Sequence, residues 1–372
     1  MMRTVRRLLY RDIIGSIVLV ALAFLALFFF FDFVDEIDRM SRAGVGAGKA
    51  AVLALMDLPG HFYDLFPITV LIGTIFSLAR LAQSSEFTIL RTGGLGPGRA
   101  LSLLASLALL FAILTFATGD WVAPWFERQS DVLRAGFVGN KAPARAGAWL
   151  KDRQTIDGKE RSFSVNVGTA SASGQLRDVR IFEFDPHGGL VARIQAKSAS
   201  VDATGLWRLT DVDRTDWLPG DGANRAPLVR EGHEPQAQWQ SSLHAGVIAA
   251  AVLPATSMST IELYRYTQHL SAQEQSAQAH NIQFWHKAFY PFACFVMVAL
   301  ALPFAYLHGR AGGISLKVFG GIMLGISFVL LNNVAEHLGL LKDWTPWTVA
   351  AAPSLAYLAL SLGAFGWLVR YR

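Results

Sequence analysis

The sequence predicts an α-helical polytopic membrane protein with six spans, three and three. An antiparallel, jellyroll-like β domain is inserted between the two halves. Three observations predict this. Six long apolar stretches occur: Ile13 to Phe31, Leu65 to Ala79 with an outer extension, Ala100 to Gly119, Ala288 to Leu307, Val318 to Ala335 and Trp344 to Val369. One polar block, between Asp120 and Lys287, separates the third from the fourth. Basic residues gather at one set of span ends. The domains expected are 1–120, 121–270 and 271–372.

An α-helix rises about 1.5 Å per residue, so roughly 20 apolar residues cross a hydrocarbon core of about 30 Å. Ile13 to Phe31 is 19 residues without a charge. Its basic flank resembles a secretory signal, but the apolar run is too long. Asp32, Asp35, Glu36 and Asp38 follow it in place of a cleavage site, so it is read as an uncleaved anchor. In the second span, Asp57, Leu58, Pro59 and Gly60 predict a kink or break, because proline removes a helix donor. His61 and Asp64 could share a face at its outer end.

Between spans two and three, Arg80 to Gly94 predicts a short helix. Ser84 or Ser85 is expected to cap it, Glu86 suits its first turn, and Gly93 and Gly94 end it. Phe87, Ile89 and Leu90 make one side apolar. The polar block carries strand signals. Phe163, Val165 and Val167 alternate, Val179 to Phe184 runs into the turn Asp185 to Gly189, and Leu190 to Ala196 alternates again. Trp207 and Leu209 share the next face, and Trp217 to Pro227 reads as a loop. These short alternating runs imply a sandwich or an open roll. Ser259 is expected to cap a helix near Ile261 that leads through residues 273–280 into span four. No internal repeat is visible.

Charge sets the expected orientation. Arg3, Arg6, Arg7, Arg11, Arg80, Arg91, Arg99, Arg310, Lys317, Arg370 and Arg372 lie at one membrane edge against Asp12 and Glu86 alone. Nine acids outnumber five bases at the other edge, and the polar block balances 17 against 17. Both termini are therefore expected to be cytoplasmic and the β domain outside. The isoelectric point of 9.4 follows from this asymmetry and does not imply a nucleic-acid surface. Cys294, the only cysteine, sits in span four as a small apolar filler and cannot form an internal disulfide.

No GxxxxGK[ST] loop, HExxH or GxSxG occurs, and Gly93 to Gly98 departs from GxGxxG. The chain is thus expected not to be an enzyme and to bind no cofactor. A transporter without a nucleotide motif must draw energy from elsewhere, and Glu86 suits an ion-pairing contact with a cytoplasmic motor subunit. Phe28 to Phe31 with Phe33 suits an apolar cavity wide enough for acyl chains, with Arg39 and Arg42 above it for anionic head groups.

Several ordered strings carry a resemblance. They are Phe33-Val34-Asp35-Glu36, Leu81 to Glu86 through Gly93-Gly94, Gly119 to Pro124, Trp207-Arg208-Leu209 with Asp211-Val212, and Trp285-His286-Lys287 with Pro291. Together with the three-plus-three layout, the chain resembles the LptF/LptG permeases of the lipopolysaccharide exporter, most closely the LptG branch. The resemblance implies pairing with an LptF-like permease, an LptB-like ATPase dimer below the pair, and an LptC-like periplasmic protein. The site would be the inner membrane of a Gram-negative bacterium, with a periplasmic β domain and ATP used only through the partner ATPase. The helix at 81–94 would be the coupling helix, with Glu86, Phe87, Leu90 and Arg91 at the ATPase. Spans one and five would form gates. The candidate cavity or gate residues are Phe30, Phe31, Arg39, Arg42, Phe66, Leu324, Phe328 and Leu331. Asp32 and Asp38 limit the expected phosphate contacts to Arg39 and Arg42. The sister LptF role and an ion-coupled lipid transporter remain alternatives. The second requires mid-membrane ionisable groups, and the sequence offers only Asp64 near a span end. A membrane enzyme lacks a catalytic constellation, and an FtsX-like permease would place its large domain after span one.

Overall fold

The computed structural model describes residues 2–42, 44–93, 96–138, 148–156, 159–170, 175–202, 204–218, 228–244, 247–248, 258–272, 277–306 and 313–370. Gly94, Arg310, positions 219–227 of the expected 217–227 loop and positions 273–276 of the expected lead into span four lie outside these residues. The chain divides into two compact units, 1–130 with 281–372, and 131–280.

The first unit is a helical bundle. Its N-terminal half holds α1 (Met2–Arg42), α2 (Ala47–Gln83), the short α3 (Glu86–Thr92) and α4 (Pro97–Ala117). A π-turn at Thr118–Val122 carries α4 into α5 (Ala123–Val138). α1 continues through the acidic residues that follow span one, as far as Arg42. The break expected at Asp57 to Gly60 is absent, since α2 runs unbroken with Pro59 and Pro67 inside it. Packed neighbours can hold a proline-containing membrane helix straight enough to continue. The C-terminal half adds α7 (Gln278–Tyr306), α8 (Ile314–Leu341) and α9 (Pro346–Arg370); α6 belongs to the second unit. Six helices among the described residues are long and apolar enough to cross a membrane.

Burial within the bundle is uneven. In its most apolar window α2 is 72% buried and α7 56%, whereas α1 and α8 are each 22% buried. The core joins Ile13 and Ile17 of α1, Leu71 and Ile75 of α2, Phe111 of α4 and Met297 of α7. Cys294 is buried there, its Sγ 3.2 Å from the Thr115 hydroxyl, as a packing residue.

The second unit is one six-stranded antiparallel meander in sequential order: β1 (Ala148–Ile156), β2 (Lys159–Ala170), β3 (Gln175–Phe184), β4 (Leu190–Val201), β5 (Leu206–Leu218) and β6 (Leu228–Gln240). Of the two forms expected, this is the open roll. Alternation drives it: Val165, Val179, Ile181, Ala196 and Leu209 are buried on one face. The sheet curls far enough for Phe163 of β2 to meet Trp239 of β6, ring centroids 5.4 Å apart. Buried Asp152 of β1 fastens that corner. It accepts hydrogen bonds from the Ser241 hydroxyl at 2.7 Å and from the Ser242 hydroxyl at 2.6 Å. The β6 edge is guarded by Arg230, Glu231, Glu234 and Pro235. Ser259 caps α6 (Thr260–Ala272) as expected, and Glu262 completes a capping box: the Glu262 amide donates to the Ser259 hydroxyl at 3.3 Å, and the Ser259 amide donates to the Glu262 carboxylate at 2.8 Å.

Candidate functional site

The corner between α2 and α3 is built from two serines. Ser84 does not cap α3. Its hydroxyl donates to the Leu81 carbonyl at 3.3 Å and so closes the end of α2. Ser85 takes a left-handed backbone, φ 62°, which turns the chain sharply into α3. Seven residues are too few for a helix to be stable alone, so tertiary anchors must hold it. Phe87 supplies one, 4% exposed within the bundle core, and Leu90 packs against the same core. Phe87 meets Tyr306 edge to face, centroids 5.3 Å apart at 78°.

Three residues apart on a helix share a face, whereas the neighbours of Phe87 point elsewhere. Glu86, Thr88 and Ile89 are exposed. Of the four expected contact residues, Glu86 is therefore on the outer surface, while Phe87 and Leu90 are committed to the chain's own core. The Arg91 side chain lies outside the described residues.

The expected cavity residues fall into two groups. Phe66 is buried, with Phe62 at 4.8 Å and Phe111 at 5.8 Å. Phe328 is buried against Tyr357 at 5.2 Å, and Leu324 is partly buried beside the same core. Phe66 and Phe328 thus pack inside this chain's core, and Leu324 lies partly exposed at its edge. Phe30 and Phe31 of α1 and Leu331 of α8 are exposed. Arg39 stands 3.9 Å from Glu36 one turn back, and Arg42 pairs with Asp38. Each guanidinium thus carries a carboxylate of its own helix beside it.

His61 does not join Asp64. Its Nε2 donates to Asp32 of α1 at 2.7 Å, and its ring lies 4.8 Å from Phe28. Two further contacts fix α1 on α2. Arg80 reaches Asp12 at 2.9 Å, and a Cβ on Gly73 would stand 2.7 Å from the Ile17 backbone. The π-turn admits another close approach: Gly119 faces the Tyr63 ring with no room for a side chain. The Tyr63 ring lies tilted against that of Tyr290, centroids 4.6 Å apart, and the Tyr290 hydroxyl donates to the Asp64 carbonyl at 2.6 Å. Sequence periodicity carries no signal for these pairings, since the partners are separated by whole helices. Among the described residues no three His, Cys, Asp or Glu converge to hold a metal ion.

A family model described as "Lipopolysaccharide export system permease LptF/LptG" matches residues 7–370. The chain is 25% identical over 316 residues to the lipopolysaccharide export system permease protein LptG of Escherichia coli K12, covering 84% of each chain. It is 23% identical over 363 residues to LptG of Haemophilus influenzae Rd, covering 97% of each. With LptF of Escherichia coli K12 it shares 23% identity over 319 residues, 84% of this chain and 81% of that one.

Proposed function

The chain belongs to the lipopolysaccharide export system permease LptF/LptG family, and from that premise we propose that it is the LptG-type half of an ATP-driven exporter. In this reading it pairs with an LptF-like permease in the inner membrane of a Gram-negative bacterium. It takes lipopolysaccharide from that membrane and passes it by its β domain to an LptC-like periplasmic protein. Both termini face the cytoplasm. An LptB-like ATPase dimer binds and hydrolyses the ATP, and this chain holds no cofactor.

The unequal burial of the spans carries the reading. A buried α2 packs on both α1 and α8, and those two helices leave most of their apolar surface uncovered. Lipid or a sister permease suits such a surface. Lifting a multi-chain amphiphile from a bilayer costs about 0.8 kcal/mol for each CH₂ exposed to water, so extraction needs an energy source and a sheltered path. The rolled sheet is suited to the path. The exposed carboxylate of Glu86, on a helix anchored through Phe87, is suited to receive force from a motor below.

Glu86→Ala removes that carboxylate without touching the core. The altered chain is expected to fold, insert and pair normally, and to lose lipopolysaccharide release driven by ATP. Purification in mild detergent tests the wider reading. Recovery of the wild-type chain with a sister permease and an ATPase supports it, and recovery without any ATPase sinks it. Normal release by Glu86→Ala would remove the role given to that residue alone.

A further inference from the structure

Phe87 does not end its contacts at Tyr306. The Tyr306 ring also meets Phe365 of α9 edge to face, centroids 5.5 Å apart at 74°. One buried tyrosine therefore touches the anchor of α3 on one side and the sixth span on the other. It does so from the last turn of α7, one turn beyond Pro303. Proline removes a backbone hydrogen bond and lets the following turn tilt against the rest of its helix. Edge-to-face pairs hold their geometry through the ring quadrupole, so turning one ring disturbs both neighbours. Packed side chains with discrete arrangements are the physical means by which displacement passes between elements.

We infer that Tyr306 is a positioning residue that couples the seat of α3 to the cytoplasmic ends of spans four and six. The wedge Phe87–Tyr306–Phe365 converts a shift of α3 into a shift of the α7 terminus and of α9. This rests on the proposed role of α3 as the helix that receives force. The two ring contacts, to Phe87 and to Phe365, carry the inference.

The test uses the complete exporter with its partner permease and ATPase in proteoliposomes containing lipopolysaccharide. Two quantities are measured together: ATP hydrolysed and lipopolysaccharide released. Wild type is the control for the wider reading. If it neither hydrolyses ATP nor releases lipid, the exporter role fails and not the wedge. Tyr306→Phe keeps the ring and is expected to match wild type. Tyr306→Leu is expected to hydrolyse ATP but to lower release per ATP by about fivefold or more, the scale of two lost ring contacts. Phe365→Leu breaks the far contact alone and is expected to lower the same ratio, which keeps the test decisive if Tyr306→Leu fails to assemble. An unchanged ratio in Phe365→Leu, or an equal loss in Tyr306→Phe, overturns the inference.

Discussion

Asp202 shows how much one exposed carboxylate can organise. It opens the turn between β4 and β5. The Thr204 hydroxyl donates to it at 2.6 Å and the Leu206 amide at 3.1 Å. These hydrogen bonds, the Thr204 hydroxyl first, hold its carboxyl below the ordinary carboxylate range. A carboxyl lowered by folding stabilises above its unfolded pKa, and that contribution is lost as pH falls through the lowered folded value. Asp202→Ala should therefore speed amide exchange at Thr204 and Leu206 at neutral pH. The difference from wild type should fade below the carboxylate range. A difference that persists in acid would show that lost packing, and not the ionised carboxyl, is responsible. His269 of α6 illustrates the opposite environment, where burial pulls its pKa down and nearby Asp152 opposes that. The exposed place of Glu86 at the start of α3 was legible from local sequence because its surroundings are local. Asp152 was not, because its serine partners lie some 90 residues further on.

At the level of elements, close approach decides which glycines matter. Gly73 lies where α1 crosses α2, and a Cβ there would stand 2.6 Å from the Ile17 side chain and 2.7 Å from its backbone. Gly60 lies in the same helix with nothing within 4 Å. Gly73→Ala must push the two helices apart and should cost about 1–3 kcal/mol, seen as earlier thermal unfolding in detergent. Gly60→Ala should instead hold or raise stability by up to about 1 kcal/mol, since alanine favours the helix. Equal effects would mean that the α1–α2 approach is not tight. The spans were legible because twenty apolar residues have few other destinations. The β2 to β5 strands were legible because their apolar residues alternate. By contrast, β6 is exposed over its first part, Leu-Val-Arg-Glu-Gly-His-Glu-Pro, which gives no alternation to read, and only Ala237 and Trp239 near its end turn inward. The continuation of α2 through Pro59 was hidden because neighbours, not propensity, hold it. Phe66 and Phe328 look alike in sequence to Phe30 and Phe31, and only packing separates the buried pair from the exposed pair.

Across the whole molecule, the asymmetry of charge implies a direction. With eleven bases on one edge, the proposed orientation puts α3 and both termini in the cytoplasm and the β domain outside, and it is testable by labelling. Ser84→Cys at the α2–α3 corner should resist an impermeant thiol reagent until the membrane is opened. Ser200→Cys on the exposed face of β4 should react in intact spheroplasts. The reverse pattern would invert the protein and leave Glu86 unable to meet any cytoplasmic motor. Such mapping is unusually clean here. The chain's one native thiol is walled in beside Thr115, and burial pushes neither label nor oxidant towards it. The natural polypeptide is thus its own dark background, on which a single planted sulfur is the only lamp.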